Sequence, residues 1–221
     1  MIIKSFKVNA IAASVIAVST MLPSSALFAQ GMVEEIVTTG TRAKARSTTD
    51  TVAPVDVINS ASLLNQGDMD VANLLRNAVP SFSVNDQPIS DAATLVRPFQ
   101  LRGMAPDHTL ILVNGKRRHR GSVIVWSAGG ISDGSHGPDA STMPGMALKS
   151  VEVLRDGASA LYGSDALSGV INFKLKDASE GGSAQVRFGE YSEGDGQMAY
   201  FAGNIGMELG ANGFANATLE Y

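Results

Sequence analysis

Towards the C-terminus, apolar and polar positions alternate one by one. Ala184, Val186 and Phe188 alternate with Gln185 and Arg187. Ala199, Phe201, Ile205, Met207 and Leu209 alternate with Tyr200, Asn204 and Glu208, and Ala217, Leu219 and Tyr221 with Thr218 and Glu220. A period of two predicts strands with two unlike faces. Gly194-Asp195-Gly196 and Asn212-Gly213 supply the turns between them. Strands of about ten residues with this pattern suit the start of a transmembrane β-barrel, apolar toward lipid and polar toward the lumen. Three strands cannot close, and an open edge is not viable in a bilayer, so the membrane reading requires a chain that continues past Tyr221. The alternative is a soluble hairpin packed on the preceding domain.

Upstream, the periodicity is mixed. Val52 to Ile58 predicts a strand, Asn59 or Ser60 caps a short helix from Ala61 to Gln66, and Asp68 caps a second helix. There Val71, Leu74, Leu75 and Ala78 fall on one face, and Pro80 prevents continuation. Thr109 to Val113 reads as a buried strand. Asn114-Gly115 is a strong type I′ hairpin signal, with Val123 to Trp126 expected as the return strand. After a Gly, Ser, Asp and Pro-rich loop between Gly129 and Pro144, strands are expected at Val151–Leu154 and Val170–Lys176, with a helical turn between Gly157 and Leu161. Strands and short helices interleave without a regular βαβ repeat. This predicts a small α/β domain with a mixed sheet over residues 50–179, followed by barrel strands over 180–221.

The first segment is an address. Lys4 and Lys7 precede an apolar run from Ala10 to Leu22, broken by Pro23 and followed by small residues up to Ala29. That order is a secretory signal peptide over residues 1–29, with cleavage after Ala29 or Ala26. The run is too short to span a bilayer. Residues 30–49, with the β-prone run Ile36-Val37-Thr38-Thr39 and a basic polar stretch after Gly40, are expected to form a flexible tail.

Composition narrows the chemistry. The net charge of -4 gives no global attraction to nucleic acid. The absence of cysteine removes disulfides, zinc thiolate sites and thiol nucleophiles. His108, His119 and His136 lack metal-ligand spacing, so neither a metal nor another cofactor is expected. No nucleophile elbow, Walker or Rossmann glycine pattern occurs, and the chain is not expected to be an enzyme.

Several motifs resemble those of the TonB-dependent receptors of Gram-negative outer membranes. Glu34-Glu35-Ile36-Val37-Thr38-Thr39-Gly40 resembles the TonB box, departing from the family pattern at Glu35 and Thr38. Leu101-Arg102-Gly103, Leu112-Val113-Asn114-Gly115-Lys116-Arg117 and, most specifically, the run from Val151-Glu152-Val153-Leu154-Arg155-Asp156-Gly157 through Tyr162-Gly163 to Gly169-Val170-Ile171-Asn172 resemble plug-domain signatures. The resemblance implies a plug domain followed by the first antiparallel strands of an incomplete transmembrane β-barrel. It implies a receptor exported to the outer membrane that binds a scarce extracellular solute, a siderophore, cobalamin, carbohydrate or peptide, and imports it with energy from the inner-membrane TonB complex. Glu35, Ile36, Val37, Thr38, Thr39 and Gly40 would be captured by the TonB C-terminal domain through strand addition. Arg102 and Arg155, with Glu152 in the same network, would latch the plug to wall carboxylates beyond Tyr221.

Recognition loops sit on fixed scaffolds, and the least patterned stretch runs from Ser122 to Thr142. Trp126, Asp133, His136 and Asp139 are therefore the ligand-loop candidates. A stand-alone soluble periplasmic plug-like binding module is the alternative from a different class.

Overall fold

The computed structural model describes residues 36–37, 39–40, 46–47, 53–84, 96–125, 130–210 and 213–221. The expected signal peptide, Glu35, Thr38 and Trp126 lie outside the described residues.

A five-stranded mixed sheet organises the first domain. Its strands are β3 (Val55–Asn59), β6 (Thr109–Val113), β7 (Lys116–Arg117), β8 (Leu148–Leu154) and β9 (Gly169–Leu175), in the spatial order β3-β8-β9-β6-β7. β6 and β9 run parallel and the other neighbours antiparallel. Asn114 and Gly115 both have positive φ, 49° and 76°, as the type I′ turn demands. This two-residue turn sends the chain straight back through Lys116–Arg117. That corrects the expected return strand: among the described residues, Val123 to Val125 belong to no strand.

Two helices cover one face of the sheet. α1 (Ser60–Leu64) is capped by Asn59, whose side chain accepts from Ser62 N at 2.8 Å. α2 (Val71–Ala78) is capped by Asp70, which accepts from Ala72 N at 2.8 Å. The cap is not the expected Asp68, which instead accepts from Met69 N and Asp70 N and folds the chain into the helix. Val71, Leu74 and Leu75 are buried against Phe99, Leu148, Val151, Val153, Ile171 and Phe173. Phe82 meets Phe99 edge-on at 5.0 Å, and Phe99 lies 6.3 Å from Phe173. Each such side chain contributes about 1.5–3 kcal/mol through burial. Phe82 and Phe99 come from β4 (Phe82–Val84) and β5 (Phe99–Leu101), an antiparallel pair not anticipated from the sequence.

The C-terminal sheet orders β10 (Gly182–Gly189), β11 (Met198–Leu209) and β12 (Gly213–Glu220) in an antiparallel meander. Its faces separate as the alternation predicts. Val186, Phe188, Phe201, Ile205, Met207, Leu209 and Leu219 are exposed. Tyr200, Ala202 and Asn204 point inward and are buried. Tyr200 and Ala202 pack with Leu64, Met69 and Met146 of the first domain.

Candidate functional site

The face of the mixed sheet opposite α2 carries the site. Glu152 on β8 and Asn172 on β9 stand opposite each other in the pairing register. Both occur at positions where the strand pattern sends alternate residues away from the hydrophobic core, yet Glu152 is 2% and Asn172 1% exposed. What covers them is the N-terminal segment. β1 (Ile36–Val37) pairs antiparallel with β2 (Arg46–Ser47). Val37 is buried among Val55, Leu110, Leu112, Leu154, Ala158, Ala166 and Val170. Thr39 follows, 1% exposed.

Thr39 is held from both its backbone and its side chain. Its N–H donates to Glu152 Oε2 at 3.1 Å, and its hydroxyl donates to the same oxygen. Asn172 Nδ2 donates to Thr39 Oγ1 at 3.1 Å and to Glu152 Oε2 at 3.2 Å. Asn172 Oδ1 accepts from Gly115 N at 3.0 Å, which joins the network to the β6–β7 turn. Gly40 N donates to the Tyr162 hydroxyl at 3.0 Å, from α3 (Ser159–Tyr162). A carboxylate this deep is tolerable because several donors converge on it. Within the expected flexible tail over residues 30–49, Val37 is packed in an apolar trough and Thr39 is bonded to the buried acceptor beside it.

Of the expected latch residues, Glu152 accepts through Oε2 from Thr39 and Asn172 on the covered face. Arg155 pairs with Asp56, its Nε 2.7 Å and its Nη2 3.0 Å from the two carboxylate oxygens. Arg102 has φ 59° and places its guanidinium 3.7 Å from Asp156. Both arginine side chains remain more than two-fifths exposed, so their local ion pairs contribute little by themselves.

Sequence reasoning missed the clearest contact between the two sheets. Arg187 on β10 donates through Nη2 to Leu64 O at the end of α1 and through Nη1 to Asp68 O at 3.3 Å. A guanidinium at exposed helix carbonyls complements the negative end of the helix. The available signal was an arginine on the polar face of an otherwise lipid-type strand.

The ligand-loop candidates do not form one cluster. Asp139 accepts from Ser141 N at 2.9 Å and Ser141 Oγ at 2.7 Å and pairs through a β-bridge with Pro98, so it shapes its own loop. Asp133 is exposed. His136 bonds through Nε2 to Gly121 O and lines a crevice of about 160 Å³ with Asp107, Arg118, His119, Arg120 and Asp165. A second crevice of about 490 Å³ is lined by Glu152 with Lys149, Lys174, Lys176 and Asp177. Burial holds the Lys176 ammonium below the usual lysine pKa.

These features match a known family. Residues 47–170, more than half of the chain, match the model of the TonB-dependent receptor plug domain, and the chain belongs to that family. It is 30% identical over 152 residues to the ferric enterobactin receptor of Pseudomonas aeruginosa, covering 69% of this chain and 20% of that protein. It is 27% identical over 169 residues to the vitamin B12 transporter BtuB of Photobacterium profundum, covering 76% of this chain and 25% of that protein. The crystal structure of the siderophore receptor PirA from Acinetobacter baumannii superposes with a TM-score of 0.52 at 27% identity, over 74% of this chain and 24% of that one. The chain thus spans about a quarter or less of each. The mixed-sheet domain is a plug, and the meander after it corresponds to the wall strands of such receptors.

Proposed function

We propose that this chain is the N-terminal portion of an outer-membrane receptor that binds a scarce extracellular solute and delivers it to the periplasm, drawing energy from the TonB complex. One observation carries the reading. The C-terminal meander turns one face to the plug, where Arg187 bonds to Leu64 O and Asp68 O and Tyr200 and Ala202 pack on Leu64, Met69 and Met146, and leaves Val186, Phe188, Phe201, Ile205, Met207 and Leu219 bare on the other. Such a face suits hydrocarbon and would be an aggregation hazard in water. That weighs against the stand-alone soluble module.

The described residues Ile36, Val37, Thr39 and Gly40 support the second half of the reading. A short apolar strand offers backbone groups to a partner sheet edge, and its side chains set the register. The partner is the C-terminal domain of TonB, engaging Glu35 through Gly40. Transport needs no covalent step from this chain, and no enzymatic role is assigned. The solute class follows the relatives, which are siderophore receptors and a vitamin B12 transporter, and the outer membrane is the location they imply.

The test is uptake by cells carrying the full-length protein. Ferric enterobactin and labelled cobalamin serve as probes, each for binding at 0 °C and for uptake at growth temperature. Ile36→Pro removes a strand donor and is expected to abolish uptake while leaving binding intact. Unchanged uptake of a probe that the parent imports would argue against the tail assignment.

A further inference from the structure

The larger lysine-lined crevice holds two ammonium groups that face no carboxylate. Lys174 and Lys176 both line it, about 6.8 Å of extended chain apart where β9 ends. Lys149 joins them where a bulge interrupts the β8–β9 pairing between Leu148 and Ser150. Of the two acids there, Asp177 is paired with Lys149 at 2.9 and 3.0 Å, and Glu152 is buried and bonded to Thr39 and Asn172. Among the described residues Lys174 bonds to no partner, and Lys176 reaches only Ser183 Oγ at 3.4 Å and Met146 Sδ at 3.7 Å. Two such cations in a half-enclosed crevice concentrate positive potential. Burial already disfavours the Lys176 ammonium, a cost that an anion beside it would offset. The walls of the crevice are fixed. Phe214 and Asn216 of β12 close its far side. They stand on the inner face of the wall, where Asn216 accepts from the buried Asn204. Asn216 Nδ2 donates to Ala178 O at 3.3 Å and Gly206 N to Gly181 O at 2.9 Å, which straps the plug-to-wall linker onto β11 and β12. A Cβ at Gly206 would lie 2.4 Å from Ala178 O, so only glycine permits that approach.

We propose that this crevice is a binding site for a small organic anion, a carboxylate or phosphate on an apolar frame, held by Lys174 and Lys176 against Phe214. Its volume of about 490 Å³ lies in the range of small-molecule pockets. The anionic head accepts charge-assisted bonds from the two ammonium groups, and the half-exposed ring of Phe214 offers apolar surface to the frame. Because Phe214 and Asn216 face inward, the site opens to the interior of the wall and not to lipid. Glu152 lines the crevice and also bonds Thr39, so the site and the N-terminal segment lie side by side. The inference rests on the reading of the chain as an outer-membrane receptor, which makes this the periplasmic end. It adds an exit subsite, where an anionic solute that has passed the plug is held before release.

Lysine acetylation of the full-length receptor in isolated outer membranes reads the site. A small amine-reactive reagent is applied with benzoate or with its neutral counterpart benzamide, and modification at each lysine is followed by mass spectrometry. Benzoate should slow modification of Lys174 and Lys176, about threefold when the anion reaches twice its dissociation constant, whereas benzamide should leave it unchanged. Lys116, exposed and outside the crevice, is the reference. Lys174→Met keeps the apolar stem and removes the charge. It should abolish the benzoate effect at Lys176, and Lys174→Arg should keep it. Heat-modifiable migration identifies variants whose barrel has not assembled; if Lys174→Met is one of them, Lys176→Met read at Lys174 decides. Equal slowing by benzoate and benzamide, equal slowing at Lys116, or an unchanged benzoate effect in an assembled Lys174→Met receptor overturns the site. Uptake of ferric enterobactin separates the two readings. In a parent that imports it, Lys174→Met should slow uptake severalfold with binding at 0 °C intact, and unchanged uptake overturns the exit role. Protection by benzoate in a receptor that imports no probe keeps the site and removes the receptor reading, whereas import without protection removes the site and keeps the receptor.

Discussion

Asn172 stands across the β8–β9 pairing from Glu152, its amide nitrogen 3.2 Å from Glu152 Oε2 and its amide oxygen accepting Gly115 N at 3.0 Å. One buried side chain therefore satisfies a carboxylate on one strand and an orphan turn amide on another. Asn172→Leu leaves both without it and is expected to destabilise the plug by about 1–3 kcal/mol. Asn172→Asp sets a second carboxyl against Glu152 in a buried site and should cost more. Hydrogen exchange at residues 114–115 and 150–154 of the assembled receptor measures both effects, and exchange equal to the parent would contradict the network.

Gly169 begins β9 with φ 143°, and a Cβ there would lie 2.4 Å from Leu154 O and 2.9 Å from Leu101 Cδ1. The glycine lets β9 enter between β8 and β6. Gly169→Ala combines left-sided backbone strain with a backbone clash, and a loss of about 2–5 kcal/mol is expected. The yield of protease-resistant plug in outer membranes checks it.

Arg187 ties the wall to the plug at Leu64 O and Asp68 O. Arg187→Ala should free the end of α1 and cost about 1–3 kcal/mol, as for bonds made by charged groups. Arg187→Lys should recover part of this, since one ammonium cannot reproduce the fork. Faster amide exchange confined to residues 60–70 is the expected signature.

The two faces of β11 should respond oppositely. Ile205→Arg puts a charge on the bare apolar face, where a mid-bilayer arginine costs about 2–4 kcal/mol, and should lower the yield of heat-modifiable protein in the outer membrane. A Thr at Asn204, on the inner face, should assemble near parental yield, losing bonds to Asn216 and Thr218 without meeting lipid. Equal yields for the two variants would contradict the sidedness.

Where local chemistry decides the structure, the sequence announced it. The Asn114-Gly115 turn, the apolar face of α2 and the two-sided wall strands follow from φ preference and periodicity alone. Tertiary choices were not legible. Asp68 and Asp70 are equally good caps, and only the burial of Val71 and Leu75 selects Asp70. The parallel pairing of β6 with β9 joins segments far apart in sequence, with no local mark. The docked tail escaped notice for the same reason: Thr39 and Glu152 are 113 residues apart, and a polar strand residue reads as solvent-facing until something is known to cover it. Glu152 was recognised as part of a motif, but its bonds to Thr39 and Asn172 were not foreseen, whereas Arg187 carried no motif at all.

The central claim is that this plug is the front of a barrel receptor. An antibody raised against residues 50–179, applied to fractionated cells of the native source, tests it most directly. The account predicts a heat-modifiable outer-membrane band far above 23.0 kDa. A soluble periplasmic species of roughly 20 kDa, the size left after signal removal, would contradict it.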